Sequence, residues 1–134
     1  MTDADRAAGA PTVLVADDEQ FMRELVVTLL EMDGYRVLQA ETGAGAIALV
    51  EECSGKIDLL IADVMMPEMT GPQAAAQIHA QHPGIPVILL TGQNQTSVQT
   101  QGLDGADVEL LEKPFETGEL RHRVRTLIDG SATR

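Results

Sequence analysis

The 134-residue sequence predicts an α/β fold in which five parallel strands alternate with five helices. Short, nearly continuous apolar runs recur along the chain, as expected for strands that are buried on both faces of a parallel sheet. Helical patterns lie between these runs, which favours right-handed β-α-β crossovers. Together these two observations indicate a doubly wound sheet with strand order 2-1-3-4-5.

The five predicted strands are assigned from their apolar content. The second one has the weakest pattern, and the other four contain almost only branched apolar residues and alanine. In chain order they are Val13–Ala16, Tyr35–Ala40, Leu59–Ala62, Val87–Leu90 and the run from Val108 to Leu111. A sheet of this kind is flavodoxin-like.

Helices are predicted between the strands from their periodicity and their end signals. In the first helix, Phe21, Leu25 and Leu29 recur at four-residue spacing, as do Met22, Val26 and Leu30, and Gly34 ends the pattern. The other assignments are Ala46–Cys53 after a Thr42 N-cap, Gln73–His82, a weak and mobile helix over Gln93–Gly105, and a last helix through Leu120 to Ile128 that Gly130 ends.

Composition excludes several classes of function. The formal charge of −12 opposes binding to nucleic acid or to an anionic membrane surface, because both depend on Lys and Arg. With no Trp, one Tyr and two Phe, the chain offers few aromatic platforms for bases or flavin. Its one cysteine, Cys53, cannot form an internal disulfide and is interpreted as a partly buried helix residue. We therefore expect a cytoplasmic protein that binds neither nucleic acid nor membranes.

Residues 12–129 are predicted to form one domain between a flexible N-terminal tail at 1–11 and a C-terminal tail at 130–134. The first tail lacks the apolar segment of a signal peptide, and no apolar stretch approaches the roughly 20 residues of a membrane span. Because the chain ends soon after the last predicted helix, we expect no DNA-binding or enzymatic output domain in it.

Polar residues follow four of the strands, at the edge of the sheet where such folds bind ligands. Asp17 and Asp18 follow the first strand, Asp63 the third, Thr91 the fourth, and Lys113 lies one residue beyond the fifth. Three carboxylates within about 4–6 Å repel one another by roughly 4 kcal/mol per close pair, and a divalent cation relieves this. Hard oxygen ligands without Cys or His favour Mg²⁺ or a similar ion.

Each of these residues also has an ordinary explanation. Asp17 and Asp18 could cap the first helix, Thr91 could be a plain strand residue, and an isolated lysine is usually solvated. The Lys113–Pro114 bond carries only a small cis penalty, and a cis bond would aim the lysine inward. A carboxylate such as Asp63 can act as a nucleophile toward phosphorus, and a hydroxyl and an ammonium can neutralise the phosphoryl oxygens.

Taken together, these residues resemble the receiver domain of two-component response regulators. The matching segments are Val13-Leu14-Val15-Ala16-Asp17-Asp18-Glu19, Asp63-Val64-Met65-Met66-Pro67-Glu68-Met69-Thr70-Gly71, Leu90-Thr91-Gly92 and Glu112-Lys113-Pro114-Phe115. The resemblance runs from about Thr12 to Ile128. Gly71-Pro72 and the Lys113-Pro114-Phe115 ending are similar to receivers of hybrid histidine kinases.

The resemblance implies a role for each site residue. Asp63 would be the phosphoacceptor, Asp18 a direct Mg²⁺ ligand and Asp17 a ligand that often acts through water. The carbonyl of Met65 would complete the protein ligands. Two further residues would contact the phosphoryl group, Thr91 through a hydrogen bond and Lys113 through its charge. The donor would be a histidine kinase or a histidine phosphotransfer protein.

The sequence departs from this family at several positions. Leu110 stands where receivers usually carry Tyr or Phe, and Thr70 where an aspartate is common; the segment from Gly105 to Lys113 is one residue longer than usual. We expect either a phosphate shuttle or sink, or a switch relocated to Gln93–Gly105. A downstream protein would read the face made by the fourth predicted helix, the fifth strand and the last helix. There the arginines at 121, 123 and 125 are either a partner contact or a solvated face.

Single residues also bear on the rate of dephosphorylation and on the alternative functions. The resemblance implies that the side chains two residues after the phosphoacceptor and two after the threonine, here Met65 and Gln93, affect hydrolysis. Met65 orients water poorly and Gln93 could orient it, so we expect slow to intermediate autodephosphorylation. A phosphatase of the haloacid dehalogenase type would need an aspartate where Met65 stands. A flavodoxin-like FMN site would place its phosphate against Asp17 and Asp18, which repel it. A stand-alone regulator, a phosphate sink and an excised receiver of a larger protein all remain consistent with the sequence.

Overall fold

The computed structural model describes residues 10–92 and 102–132. Five strands form one parallel sheet with the order β2-β1-β3-β4-β5, which confirms the predicted topology. The strands are β1 Thr12–Ala16, β2 Arg36–Ala40, β3 Leu59–Asp63, β4 Val87–Thr91 and β5 Val108–Glu112. Within the described ranges there are four helices: α1 Gln20–Met32, α2 Gly43–Glu52, α3 Gly71–Gln81 and α4 Thr117–Ala132. Most of the weak helix predicted over Gln93–Gly105 lies outside the described residues.

Two hydrophobic clusters lie on opposite faces of the sheet, which explains the continuous apolar runs. In β1, Leu14 packs in one cluster and Val13 and Val15 in the other, because successive strand side chains point to opposite faces. One cluster includes residues of α2 and α3, and the other residues of α1 and α4. Every residue of β1, β3 and β4 is consequently buried.

The helix ends follow local sequence signals, and the structure corrects three of the predicted ends. Thr42 caps α2 as predicted, because its hydroxyl accepts a hydrogen bond from the N–H of Gly45, but the helix begins at Gly43, three residues before the predicted Ala46. Helix α3 begins two residues before the predicted Gln73, since Thr70 and Gln73 form a reciprocal capping box. The prediction that Gly130 ends the last helix is wrong: α4 continues to Ala132, and a glycine inside a helix costs only about 1 kcal/mol.

Helix α1 buries one of its two apolar stripes. Val26 and Leu30 are buried, whereas Phe21 and Leu25 are exposed. Its polar residue Arg23 lies on the buried face. Among the described residues, no helix combines the length and the apolar character that a membrane span requires.

Candidate functional site

Parallel pairing brings the predicted site residues to one edge of the sheet. Asp63 is the last residue of β3 and Thr91 the last of β4, and both are buried. The N–H of Lys113 donates a 2.7 Å hydrogen bond to the carbonyl of Thr91, so the lysine stands directly beyond β5 at the same edge. The Lys113–Pro114 peptide bond is cis.

Three carboxylates and one ammonium group converge there. Asp17, Asp18 and Asp63 each offer a carboxylate oxygen, and these three atoms lie within 4.8 Å of one another. The Nζ atom of Lys113 lies 3.1 Å from Oδ1 of Asp63 and 3.9 Å from Oδ2 of Asp17. One lysine thus faces three acids, and the cluster carries a net negative charge.

Burial makes the ionised form of two of these acids unfavourable. It raises the pKa of Asp63, an effect that the hydrogen bond and charge of Lys113 partly oppose and that the charge of Asp18 increases. Burial likewise raises the pKa of Asp17, against a hydrogen bond from the Glu19 N–H and with a further increase from the charge of Asp63. The site therefore stores electrostatic repulsion that a bound cation would relieve.

Asp17 and Asp18 do not cap the first helix. Glu19 occupies the N-cap position of α1 and makes no side-chain capping hydrogen bond. Instead, Oδ1 of Asp17 accepts a 2.9 Å hydrogen bond from the N–H of Glu19, which fixes the turn after β1. The alternative interpretation of this acidic pair as a helix cap is therefore wrong.

The loop after Asp63 is held close to the sheet at both of its ends. The Met65 backbone N–H donates a hydrogen bond to the Asp63 carboxylate, which partly opposes the rise in pKa that burial causes. The N–H of Gly71 donates to the carbonyl of Val64 at 3.0 Å, and a side chain at position 71 would overlap the carbonyl oxygen of Asp63. The Met65 side chain is exposed. That the Met65 carbonyl is a metal ligand remains a prediction.

The donor atoms of this cluster fit a hard divalent cation. Oδ2 of Asp17 is buried, and within the described part of the chain it accepts no hydrogen bond. A buried carboxylate oxygen without a donor is unfavourable unless a cation contacts it. The neighbouring ligands are also carboxylate oxygens, which Mg²⁺ and Ca²⁺ prefer over nitrogen or sulfur.

Comparison with known proteins agrees with this arrangement. The model of the response regulator receiver domain family matches residues 13–125, which is most of the chain. This chain belongs to that family. All of the predicted site residues lie within this matched segment of the receiver domain.

Individual relatives extend the comparison. The receiver is 35% identical over 124 residues to the probable transcriptional regulatory protein TcrX of Mycobacterium tuberculosis, covering 92% of this chain and 52% of TcrX. It is 32% identical to the sensor kinase CckA of Brucella abortus, covering 91% of this chain but 13% of CckA. A crystal structure of a receiver domain protein from Clostridium thermocellum superposes with a TM-score of 0.83 at 28% identity, over 92% of this chain and 98% of that one. The chain spans about half the length of most of the curated relatives it matches first.

Two surface features of the receiver bear on its output. Leu110 points outward from β5 and is about half exposed. Two of the three α4 arginines are neutralised, because Arg121 pairs with Asp33, and Arg123 pairs with Glu109 and Glu119, whereas Arg125 is exposed. The partner-contact interpretation of these arginines is weakened accordingly. Gln93 lies outside the described residues.

Sequence reasoning missed one polar residue of the site. Arg23 is buried, and its guanidinium contacts the carbonyl of Asp17. A signal was present, because Arg23 stands at helical spacing with the apolar residues Val26, Val27 and Leu30. A charged residue on an apolar stripe indicates a specific partner.

Proposed function

We propose that this receiver accepts a phosphoryl group on Asp63 from a phosphohistidine, in a reaction that depends on Mg²⁺. The observation that carries the proposal is the convergence of Asp63 with two further carboxylates and the Lys113 ammonium at one edge of the sheet. In the described ranges this is the one group of three or more His, Cys, Asp or Glu residues that could hold a metal ion.

The chain's own residues would act on the phosphoryl group as follows. A carboxylate oxygen of Asp63 forms the new bond to phosphorus as the phosphorus–nitrogen bond to the donor histidine breaks, and the imidazole leaves with that electron pair. Lys113, now 3.1 Å from Asp63, would balance the negative charge that arrives. Thr91, buried at the end of β4, would donate its hydroxyl to a phosphoryl oxygen.

Asp17, Asp18, Asp63 and the Met65 carbonyl would hold the Mg²⁺ ion. When bound, the ion supplies charge neutralisation for the equatorial phosphoryl oxygens. The fit rests on the buried Oδ2 of Asp17, which accepts no hydrogen bond in the described part of the chain, and on the all-oxygen character of the ligand set.

We place this activity in a domain of residues 12–129 that acts in the cytoplasm and catalyses only its own phosphorylation and dephosphorylation. The partner class is a histidine kinase or a histidine phosphotransfer protein, as expected of the family. We further propose that output uses β5, α4 and the segment between β4 and β5. The outward position of Leu110 supports a switch that does not depend on an aromatic ring turning inward.

Labelling with a small phosphodonor tests the central proposal. In the presence of Mg²⁺, the protein should gain one acid-labile, hydroxylamine-sensitive phosphoryl group, and Asp63→Asn should gain none. Asp104→Asn, which changes an exposed aspartate outside the site, should be labelled like the unmodified protein. Full labelling of Asp63→Asn would refute the assignment of the phosphoacceptor.

A further inference from the structure

Arg23 is a buried arginine that lies behind the carboxylate cluster rather than within it. It is 7% exposed and shares the buried face of α1 with Val26, Val27 and Leu30. A charged side chain is rarely buried to this extent unless hydrogen bonds compensate for the lost hydration. The partners of its guanidinium therefore indicate what the residue does.

Those partners connect two neighbouring strands at the edge that carries the site. Nη1 of Arg23 donates a 2.8 Å hydrogen bond to the backbone carbonyl of Asp17, just after β1. Nε donates to Oε1 of Gln39 at 3.2 Å, and Nη2 lies 3.5 Å from Oε1 of Glu41. The planar guanidinium thus spans from the turn after β1 to the end of β2.

This link immobilises the polar groups of Asp17. Its N–H donates to the carbonyl of Ala40 at 3.1 Å, its own carbonyl accepts from Arg23, and its Oδ1 accepts from Glu19. The remaining oxygen, Oδ2, is buried and points toward the cluster, 3.9 Å from Nζ of Lys113. The backbone of Asp17, to which Asp18 is directly joined, is consequently held in place before any ligand arrives.

We propose that Arg23 is a positioning residue that orients Asp17 and Asp18 for a divalent cation. The inference rests on the proposed Mg²⁺ dependence and adds a group that contacts neither the ion nor the phosphoryl group. Residues that hold metal ligands from behind typically change metal affinity by about 10- to 100-fold when they are replaced.

Magnesium binding measures this role directly. In calorimetric titrations of the metal-free protein, Arg23→Met should bind Mg²⁺ about 10- to 100-fold more weakly. Arg23→Lys should fall between, because an ammonium keeps the charge but cannot bridge three acceptors in one plane. Arg36→Met, which removes an exposed arginine of β2, should bind like the unmodified protein. Circular dichroism fixes a temperature at which every variant is folded.

Two further readouts separate positioning from a general loss of stability. In metal-free protein, the amide of Glu19 should exchange with solvent faster in Arg23→Met, because its acceptor on Asp17 is no longer fixed. In phosphorylation assays, the half-saturating Mg²⁺ concentration should rise by the same factor as the Kd, while the rate at saturating Mg²⁺ recovers.

The outcomes distinguish this inference from the proposed function. If the unmodified protein neither binds Mg²⁺ nor becomes phosphorylated, the proposed function fails. If it does both and folded Arg23→Met binds Mg²⁺ with unchanged affinity, the positioning role is overturned. Should Arg23→Met fail to fold, unchanged affinity in Arg23→Lys decides against the role, and weakened affinity there decides for it.

Discussion

Replacing Asp17 by asparagine should stabilise the metal-free protein. The change removes one buried charge from the carboxylate cluster and keeps the shape of the side chain, including an oxygen that can accept from the Glu19 N–H. At the 4.8 Å limit and an effective dielectric of 20, each carboxylate pair costs about 3.5 kcal/mol. The attraction to Lys113 at 3.9 Å offsets about 4 kcal/mol of this.

Because Asp18 is exposed, solvent screens its share of the repulsion. These charge–charge terms nearly cancel, so the burial of the Asp17 charge, which is the main cause of its raised pKa, decides the sign. We therefore expect Asp17→Asn to raise the free energy of unfolding by about 1–2 kcal/mol at neutral pH. The melting temperature should rise by about 3–8 °C. Urea unfolding in the presence of a chelator measures the first quantity and a thermal scan the second. Glu52→Gln, which removes an exposed acid of α2, is the control for the change in net charge.

The stability gain of Asp17→Asn should be larger at neutral pH than at acidic pH. Burial raises the pKa of Asp17 in the folded protein, so the folded state binds more protons than the unfolded state between the ordinary and the raised pKa. Stability of the unmodified protein falls as pH rises through that window, and Asp17→Asn lacks this fall. The difference should vanish at a pH below the ordinary carboxyl range. Equal or lower stability of Asp17→Asn at neutral pH would refute the electrostatic argument.

Two other perturbations follow from the same contacts. Gly71→Ala should lower the free energy of unfolding in urea by roughly 1–3 kcal/mol and slow the labelling of Asp63, because the new methyl group overlaps the Asp63 carbonyl. The control is Gly84→Ala, whose methyl group meets nothing within 4 Å. Equal behaviour of the two variants would contradict the packing argument. Asp33→Asn should lower the melting temperature at neutral pH, because the Arg121 hydrogen bond holds the pKa of Asp33 below its ordinary value. That difference should disappear as pH falls through the folded-state pKa, and a difference that persists there would count against the ion pair.

The sheet and the site edge could be predicted from the sequence because both depend on local signals. Runs such as Leu59 to Ala62 leave no polar face, so only a strand covered on both sides accommodates them. Parallel order then sends every strand end to the same edge, which brings together Asp17, Asp63 and Lys113 before any distance is known. Leu110 could likewise be recognised as a departure from the family.

Tertiary packing determines which residues are buried and which are paired, and the sequence alone did not predict this. The two stripes of α1 have the same spacing, and only the position of the helix on the sheet determines that Val26 is buried and Phe21 exposed. The arginines of α4 resemble a basic surface in sequence, but two of them, Arg121 and Arg123, pair with acids that are distant in the chain, Asp33 and Glu109. Arg23 was missed for a similar reason, since its acceptors Gln39 of β2 and Glu41 just after β2 are 16 and 18 residues away.

The strand pairing of the receiver also separates the site from the opposite end of the molecule. Each strand has five residues, so the turns that enter β3 and β4 lie roughly 16 Å from the site edge, at 3.3 Å per residue. Backbone hydrogen bonds at the site edge itself, such as the one from the Val64 N–H to the Leu90 carbonyl at 2.9 Å, hold the site without help from those turns. Inserting a short peptide beside the exposed Gly84 would therefore leave the chemistry intact, which makes that turn a suitable place to attach the protein to a surface while its phosphorylation is measured.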